Sequence, residues 1–157
     1  MFTKNQQLLA YLAKNHLKAS ITVLMKLSYI IDLFFVKSTG RKLSNFNYVR
    51  YYHGPYDSSI NSDIQVLVDS QIIYPKAHYT ATGEEFIVYN FNDGAEFDFN
   101  DLSQPELEKI DEIMETLKGY GAKTLTDIAY KTKPMLALGA THGGNEHLNT
   151  VLDLSLR

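Results

Sequence analysis

Residues 20–40, SITVLMKLSYIIDLFFVKSTG, contain the longest apolar stretch of the chain and decide its fold. Ser20 is a favourable residue for a helix N-cap, and Gly40 can adopt the left-handed conformation that often ends a helix. Between them, apolar side chains over 21–36 cover more than one face of a helix. The stretch therefore predicts a long helix, buried on several sides, at the centre of the core.

The same stretch is not expected to cross a membrane. Lys26 and Asp32 lie near its middle, and each would cost about 3 kcal/mol in a bilayer. No basic region followed by an apolar run opens the sequence, so we expect no leader and a cytoplasmic location. The 157 residues include no cysteine, which excludes disulfides, thiolate nucleophiles, iron–sulfur clusters and cysteine-bound zinc.

Smaller patterns predict the remaining elements around this helix. Helical periodicity and caps predict three further helices, at 4–15, from Ser103 to Gly119, and from Thr124 to a residue before Pro134. Aromatic and β-branched residues predict an extended segment at 45–53 that Gly54 and Pro55 end, with a helix from Pro55 or Tyr56 to Ser70. Segments 72–74 and 84–91 flank a turn and predict a β-hairpin.

These elements together predict one compact domain that is mainly α with a small β-hairpin, an α+β class. We assign residues 1–136 to the domain and residues 137–157, which are rich in glycine, to a short C-terminal element and a mobile tail.

Charge is distributed unevenly along the chain. Residues 1–50 hold eight basic residues and one acidic residue, a net charge of +7, whereas the remainder carries −10. Most of the acidity lies in residues 84–115, where eleven acidic residues accompany one lysine. Either the two regions pack together, or one of them contacts a partner.

No pattern of a catalytic or cofactor site is present. The sequence lacks a phosphate-binding glycine loop, a zinc-binding histidine pair on a helix, and a nucleophile elbow. The acidic residues of the predicted helix at 103–119 flank its apolar stripe, as expected of a solvated face. We therefore expect no enzyme activity, no metal and no cofactor.

Nucleic-acid binding is the alternative hypothesis. Helices followed by a hairpin can form a winged helix, and Lys37, Arg41 and Lys42 make the densest basic patch. However, the helix before the hairpin contains Asp57, Asp63 and Asp69 but neither Lys nor Arg, and DNA phosphates would repel it. A winged-helix regulator is therefore less favoured than a protein-binding module.

Aromatic residues cluster around the break at His53-Gly54-Pro55. The cluster comprises Phe46, Tyr48, Tyr51, Tyr52 and Tyr56. Tyrosine offers a large contact area with a polar tip at low entropic cost, which suits protein interfaces. On a strand the cluster would face both sides, so we expect about half of it to be core.

Several motifs resemble the Panacea domain of SocA-like antitoxins. They are LMKLSYIID at 24–32, TGRKL at 39–43, YHGPY at 52–56, LSQPEL at 102–107, GYG at 119–121 and LTDIA at 125–129. Their order and spacing extend the resemblance over residues 5–136. Two features depart from the family pattern: Tyr56 replaces a small aliphatic residue, and KTKP at 131–134 replaces a serine- and histidine-rich ending.

The resemblance implies an antitoxin that binds and neutralises a toxin encoded beside it. In one branch of the family such proteins are adaptors that deliver the toxin to an ATP-dependent protease. On this hypothesis we expect the partner to contact Arg41, Tyr51, Tyr52, His53 and Tyr56. We expect structural roles for Lys26, Asp32, Gly40, Gly54 and Pro55.

Overall fold

The central element is helix α2, Ile21–Thr39, which buries twelve of its nineteen residues. Ser20 caps its start, because its side chain accepts a hydrogen bond from the backbone N–H of Val23. Gly40 ends it in the left-handed region at φ +81°, where its N–H donates to the carbonyl of Val36. Both predicted caps are confirmed, but the helix extends to Thr39, three residues beyond the predicted Val36.

The structure is a computed structural model that describes residues 1–156. The remaining helices are α1 Lys4–Asn15, α3 Ser58–Asp69, α4 Gln104–Thr116, α5 Ala122–Tyr130 and α6 Lys133–Ala137. The strands are β1 Val49–Tyr51, β2 Gly54–Tyr56, β3 Ile73–Tyr79 and β4 Glu85–Phe91, and they form two antiparallel pairs, β1–β2 and β3–β4. The predicted class, mainly α with small β elements, is confirmed.

Helix α1 connects the core to the acidic region. Its leucines Leu8, Leu9 and Leu12 are fully buried. At its first turn, Lys4 Nζ lies 3.0 Å from a carboxylate oxygen of Glu106, which belongs to the predicted capping box of α4. The basic and acidic regions therefore touch, but in the part of the chain that the structure describes this is the one ion pair between residues 1–50 and 84–115.

The segment from 45 to 56 differs from the prediction. The prediction that Gly54 and Pro55 end a strand and begin a helix is wrong. Gly54–Tyr56 form a second strand, β2, which pairs with β1. Helix α3 begins only at Ser58, with Asp57 as its N-cap. Gly54 adopts φ +106°, which lets the chain reverse within two residues. The ammonium of Lys26 then binds the carbonyl of Pro55 at 3.0 Å, which fixes β2 on α2.

The second hairpin, β3–β4, is confirmed and is longer than predicted on its first strand. The N–H of Tyr89 donates to the carbonyl of Ala19 at 2.9 Å, which attaches β4 just before α2. Residues 76 and 77 and the turn at 80–84 are exposed. The hairpin therefore projects from the body while its base is anchored.

Residues 141–156 pack against the body, whereas the sequence predicted a mobile tail there. Val151 forms a β-bridge with Val49, and the N–H of Leu152 donates to the carbonyl of Tyr48 at 2.9 Å. Leu152 and Leu154 are buried. The glycines of this segment permit turns, but its leucines and backbone pairs attach it to β1.

Candidate functional site

The tyrosine hairpin, residues 49–56, presents a continuous aromatic surface. Tyr52 is 52% exposed, His53 is also exposed, and Tyr51 and Tyr56 are half-buried. The Tyr51 ring stacks on Tyr56 at 4.6 Å between centroids and meets Tyr52 edge-on at 4.9 Å. Four of the five predicted partner contacts therefore lie side by side on one hairpin.

The other half of the aromatic cluster is core, as expected. Phe46 is fully buried and Tyr48 is 1% exposed. Tyr48 also packs edge-on against Tyr29 of α2 at 5.3 Å. The cluster thus divides into a buried part that fixes the approach to the hairpin and an exposed part that faces solvent.

Asp32 fixes this approach from α2. Its fully buried carboxylate accepts hydrogen bonds from the N–H of Ser44 at 2.8 Å, from the Ser44 hydroxyl, and from the Tyr48 hydroxyl at 2.7 Å. Burial raises the pKa of Asp32, and the hydrogen bonds from Ser44 and Tyr48 oppose this only in part. Residues 44–48 are thereby bound to the central helix, which supports the structural role predicted for Asp32.

Lys26 attaches the second strand of the hairpin to α2. It is 3% exposed, and burial lowers its pKa to about 8. Its Nζ donates to the carbonyl of Pro55, and its Cε would lie 3.4 Å from a Cβ placed on Gly54. The structure therefore gives the predicted structural residues Lys26, Gly54 and Pro55 one shared contact.

Arg50 of β1 joins the hairpin to α5 and to the C-terminal segment, a role that no local sequence pattern indicated. Its guanidinium donates to the Tyr130 hydroxyl at 3.1 Å. It also donates to four carbonyls, those of Tyr51, Thr141, Gly144 and Glu146. Arg50 has no exposed surface, although the charge count treated it as part of a basic region. Its partners other than Tyr51 lie 80 to 96 positions later, so no short motif could reveal them.

Tyr130 of α5 completes the support. Its hydroxyl lies 3.4 Å from the carbonyl of Tyr52, and its ring stacks on His142 at 5.1 Å between centroids. His142 also meets His53 edge-on at 5.9 Å. Burial raises the pKa of Tyr130, with Arg50 opposing the rise. The turn of the hairpin is therefore packed against α5 and the C-terminal segment.

Arg41 lies apart from these tyrosines. It follows Gly40 at the far end of α2, and Gly40 is about 22 Å along the helix from Met25, which lies beside the hairpin. There Arg41 lines a separate basic cleft of about 660 Å³ with Lys4, Lys42 and Lys109. The structure thus does not place all the predicted partner contacts on one small surface.

Other kinds of site are not indicated within residues 1–156. No group of three or more His, Asp or Glu residues there could hold a metal ion, and no helix is long and apolar enough to cross a bilayer. Helix α3 carries Asp63 and Asp69 beside its capping Asp57 and has no basic residue. The β3–β4 hairpin follows α3 as a wing would, but the helix beside it has the sign that phosphates repel.

Comparison with known proteins gives one match. A family model described as "Antitoxin SocA-like, Panacea domain" matches residues 24–134. The match runs from Leu24 in α2 to Pro134 in α6, so it includes Lys26, Asp32 and the whole tyrosine hairpin. No curated protein and no solved structure matches the chain.

Proposed function

The chain belongs to the family of SocA-like antitoxins with a Panacea domain, and we propose that it neutralises a cognate toxin by binding it directly through the tyrosine hairpin. In this proposal the protein acts without catalysis, since inhibition requires only that part of the toxin surface is covered.

The observation that supports this proposal most is the exposed tyrosine surface on a backbone held by three buried side chains. Tyrosine is enriched among residues that dominate binding energy at interfaces, and ordering them before binding lowers the entropic cost of association. Asp32 fixes the approach to the hairpin, Lys26 fixes its second strand, and Arg50 joins its first strand to α5 and to residues 141–146. Each of these three buried side chains binds a backbone group within the protein, whereas Tyr52 is left exposed.

A protein partner is favoured over DNA by the charge of the neighbouring helix. Helix α3 follows the tyrosine hairpin directly and contributes Asp63 and Asp69, with no cation. Protein interfaces tolerate such a mixture of aromatic and acidic groups, whereas a DNA-reading helix needs the opposite sign. The winged-helix alternative stays a prediction, and a gel shift at low salt with DNA from upstream of the gene tests it.

Delivery of the toxin to an ATP-dependent protease is a further form of the same proposal. An adaptor must also bind the toxin, so the tyrosine hairpin serves either form. The two forms differ in the lifetime of the toxin. Direct inhibition leaves the half-life of the toxin unchanged when the antitoxin is co-expressed, whereas delivery shortens it only in cells that contain the protease.

The test of the binding surface uses the toxin candidate encoded next to this gene. We expect Tyr52→Ala to weaken the complex by about 2 kcal/mol, or roughly 30-fold in Kd, and to reduce rescue of growth. Tyr79→Ala is the matched control, because Tyr79 is 65% exposed on the other hairpin. Calorimetry measures the Kd, and a thermal melt checks that both variants remain folded.

Unchanged binding and rescue by the Tyr52→Ala, Tyr56→Ala double variant would show that the hairpin is not the interface. A loss with Tyr79→Ala alone would move the interface to β3–β4. Arg41→Ala tests whether the partner also extends to the basic cleft, since only a partner that spans about 22 Å along α2 could contact both places.

A further inference from the structure

A small pocket lies between the N-terminal half of α2 and the tyrosine hairpin. Its volume is about 150 Å³, and its walls include Ile21 and Met25 from the helix and Tyr51, His53 and Tyr56 from the hairpin. A cavity of about this volume admits a benzene-sized group, whereas drug-sized ligands and cofactors occupy roughly 300–1,000 Å³. The pocket therefore suits a single side chain rather than a nucleotide or cofactor.

Lys26 is the only lysine or arginine among the described residues that line this pocket. A lysine ammonium has three N–H donors, and in the part of the chain that the structure describes Lys26 Nζ makes one hydrogen bond, to the Pro55 carbonyl. No ion pair of Lys26 is found among these residues. A buried cation is costly unless an anion pairs with it.

The other titratable groups near Lys26 do not supply that anion. On the hairpin they are Tyr51, Tyr56 and His53, and on α5 the group is Tyr130, which is near Gly54. Among residues 1–156, no carboxylate lines the pocket. In agreement with this, burial is the sole cause that lowers the pKa of Lys26, with no charged neighbour contributing.

We propose that this pocket receives one Asp or Glu side chain of the protein partner, whose carboxylate pairs with Lys26 Nζ while its methylene groups pack against the tyrosine rings. This inference rests on the proposed function, and it names the chemistry of the partner residue at the centre of the interface. Charge complementarity selects the occupant. An apolar side chain would seal the cation from water without pairing it, whereas a carboxylate both fills the pocket and accepts hydrogen bonds from the ammonium.

The chemistry of the pocket can be tested without the partner. The probe is propionate, which has the end of a glutamate side chain, and propionamide is its neutral control of similar shape. In protein labelled with ¹³C at lysine Cε, we expect propionate to shift the Lys26 signal and raise the pKa of Lys26, whereas propionamide does neither. A His53→Gln variant should respond in the same way, which separates Lys26 from the neighbouring imidazole.

Equal responses to propionate and propionamide, or a Lys26 response no larger than that of the exposed Lys37, would overturn the inference. So would loss of the propionate response in His53→Gln, since the anion would then pair with the imidazole.

The source of the carboxylate is tested with the neighbouring toxin. Because the free protein loses the Lys26 proton near pH 8, an interface that needs the ammonium should weaken roughly 10- to 30-fold in Kd between pH 7.0 and 9.5. Lys26→Met should bind more weakly at pH 7.0 and lose most of this pH dependence. In the complex, the pKa of Lys26 should rise.

The outcomes separate this inference from the proposed function. If Tyr52→Ala weakens binding but the pKa of Lys26 falls or stays constant in the complex, the hairpin is the interface and the carboxylate inference is wrong. If Tyr52→Ala has no effect on binding, the proposed interface itself is wrong. Since Lys26→Met also loses the hydrogen bond to Pro55, the NMR titration of the wild-type complex decides the matter should that variant misfold.

Discussion

Replacing Lys26 by Met should change how the stability of the protein depends on pH. Burial lowers the pKa of Lys26 from 10.5 to about 8 in the folded chain. Between these values the unfolded chain still binds the proton and the folded chain has released it, so stability from this group increases as pH rises. It is fully present above pH 10.5 and is lost as pH falls through 8.

The magnitude follows from the size of this shift. One pKa unit corresponds to 1.36 kcal/mol, so between pH 7 and 10 the wild type should gain about 2.5 kcal/mol over Lys26→Met in free energy of unfolding. Methionine has a similar length and no charge. Loss of the hydrogen bond to Pro55 adds about 1 kcal/mol to the difference between the two proteins, and the pH dependence of that bond is already contained in the pKa of the folded chain.

Urea unfolding at pH 7, 8, 9 and 10 measures this difference between the two proteins. Tyrosines that titrate at high pH are common to both and cancel. Lys37→Met, on the exposed side of the same helix, controls for loss of one positive charge from α2. A difference between wild type and Lys26→Met that stays constant, or that falls with rising pH, would refute the assignment of a desolvated ammonium beneath the hairpin.

Three other substitutions test the supports of the hairpin. Asp32→Ala removes the acceptor of three hydrogen bonds and should lower the free energy of unfolding, measured with urea, by about 3–5 kcal/mol. A loss below about 1 kcal/mol would contradict the role of Asp32 in holding residues 44–48. Gly54→Ala should cost about 1–3 kcal/mol in thermal melts, because at φ +106° any residue with a Cβ is strained. Gly94→Ala, without positive φ, should cost less. Leu152→Ala should lower the free energy of unfolding by about 2–4 kcal/mol and speed amide exchange in β1. Val151→Ala should change little, because Val151 is 70% exposed. Equal effects of the two substitutions would mean that burial of Leu152 does not attach the C-terminal segment.

Local signals predicted the helices whose ends depend on their own residues. Ser20 and Gly40 cap α2 as expected, and the Ser103–Glu106 capping box opens α4 with both of its reciprocal hydrogen bonds. In each case the decisive contacts join residues at most four positions apart. Such contacts can be inferred from the sequence because spacing along the chain determines spacing in space.

Features that depend on distant residues were not predicted. The β1–β2 pair has three residues on each strand, too few to be stable alone, and it forms because Lys26 and Val151 bind it from elsewhere in the chain. Likewise, α5 begins after Gly121 rather than at Thr124, with no side chain capping it. Its first residue, Ala122, is partly buried against the core, which suggests that packing sets this boundary.

The charge count shows the same limit. It treated residues 1–50 as a basic surface, but Lys26 and Arg50 are buried and serve the hairpin. Lys4 is paired with Glu106. A sum over the sequence cannot separate cations that face solvent from cations that bind backbone carbonyls, and only the former can attract a partner over distance.

The hydrogen bonds of Arg50 also determine when the hairpin can complete its folding during synthesis. Its guanidinium binds carbonyls up to 96 positions later in the chain, so the turn that displays Tyr52 cannot reach its final shape until residues 141–146 have been made and have folded back. Contacts this distant in sequence are slow to close and are among the last to form. A nascent chain that lacks residues 141–146 therefore also lacks contacts that hold the surface proposed to recognise the toxin, so protection of the cell would lag behind translation of the first hundred residues.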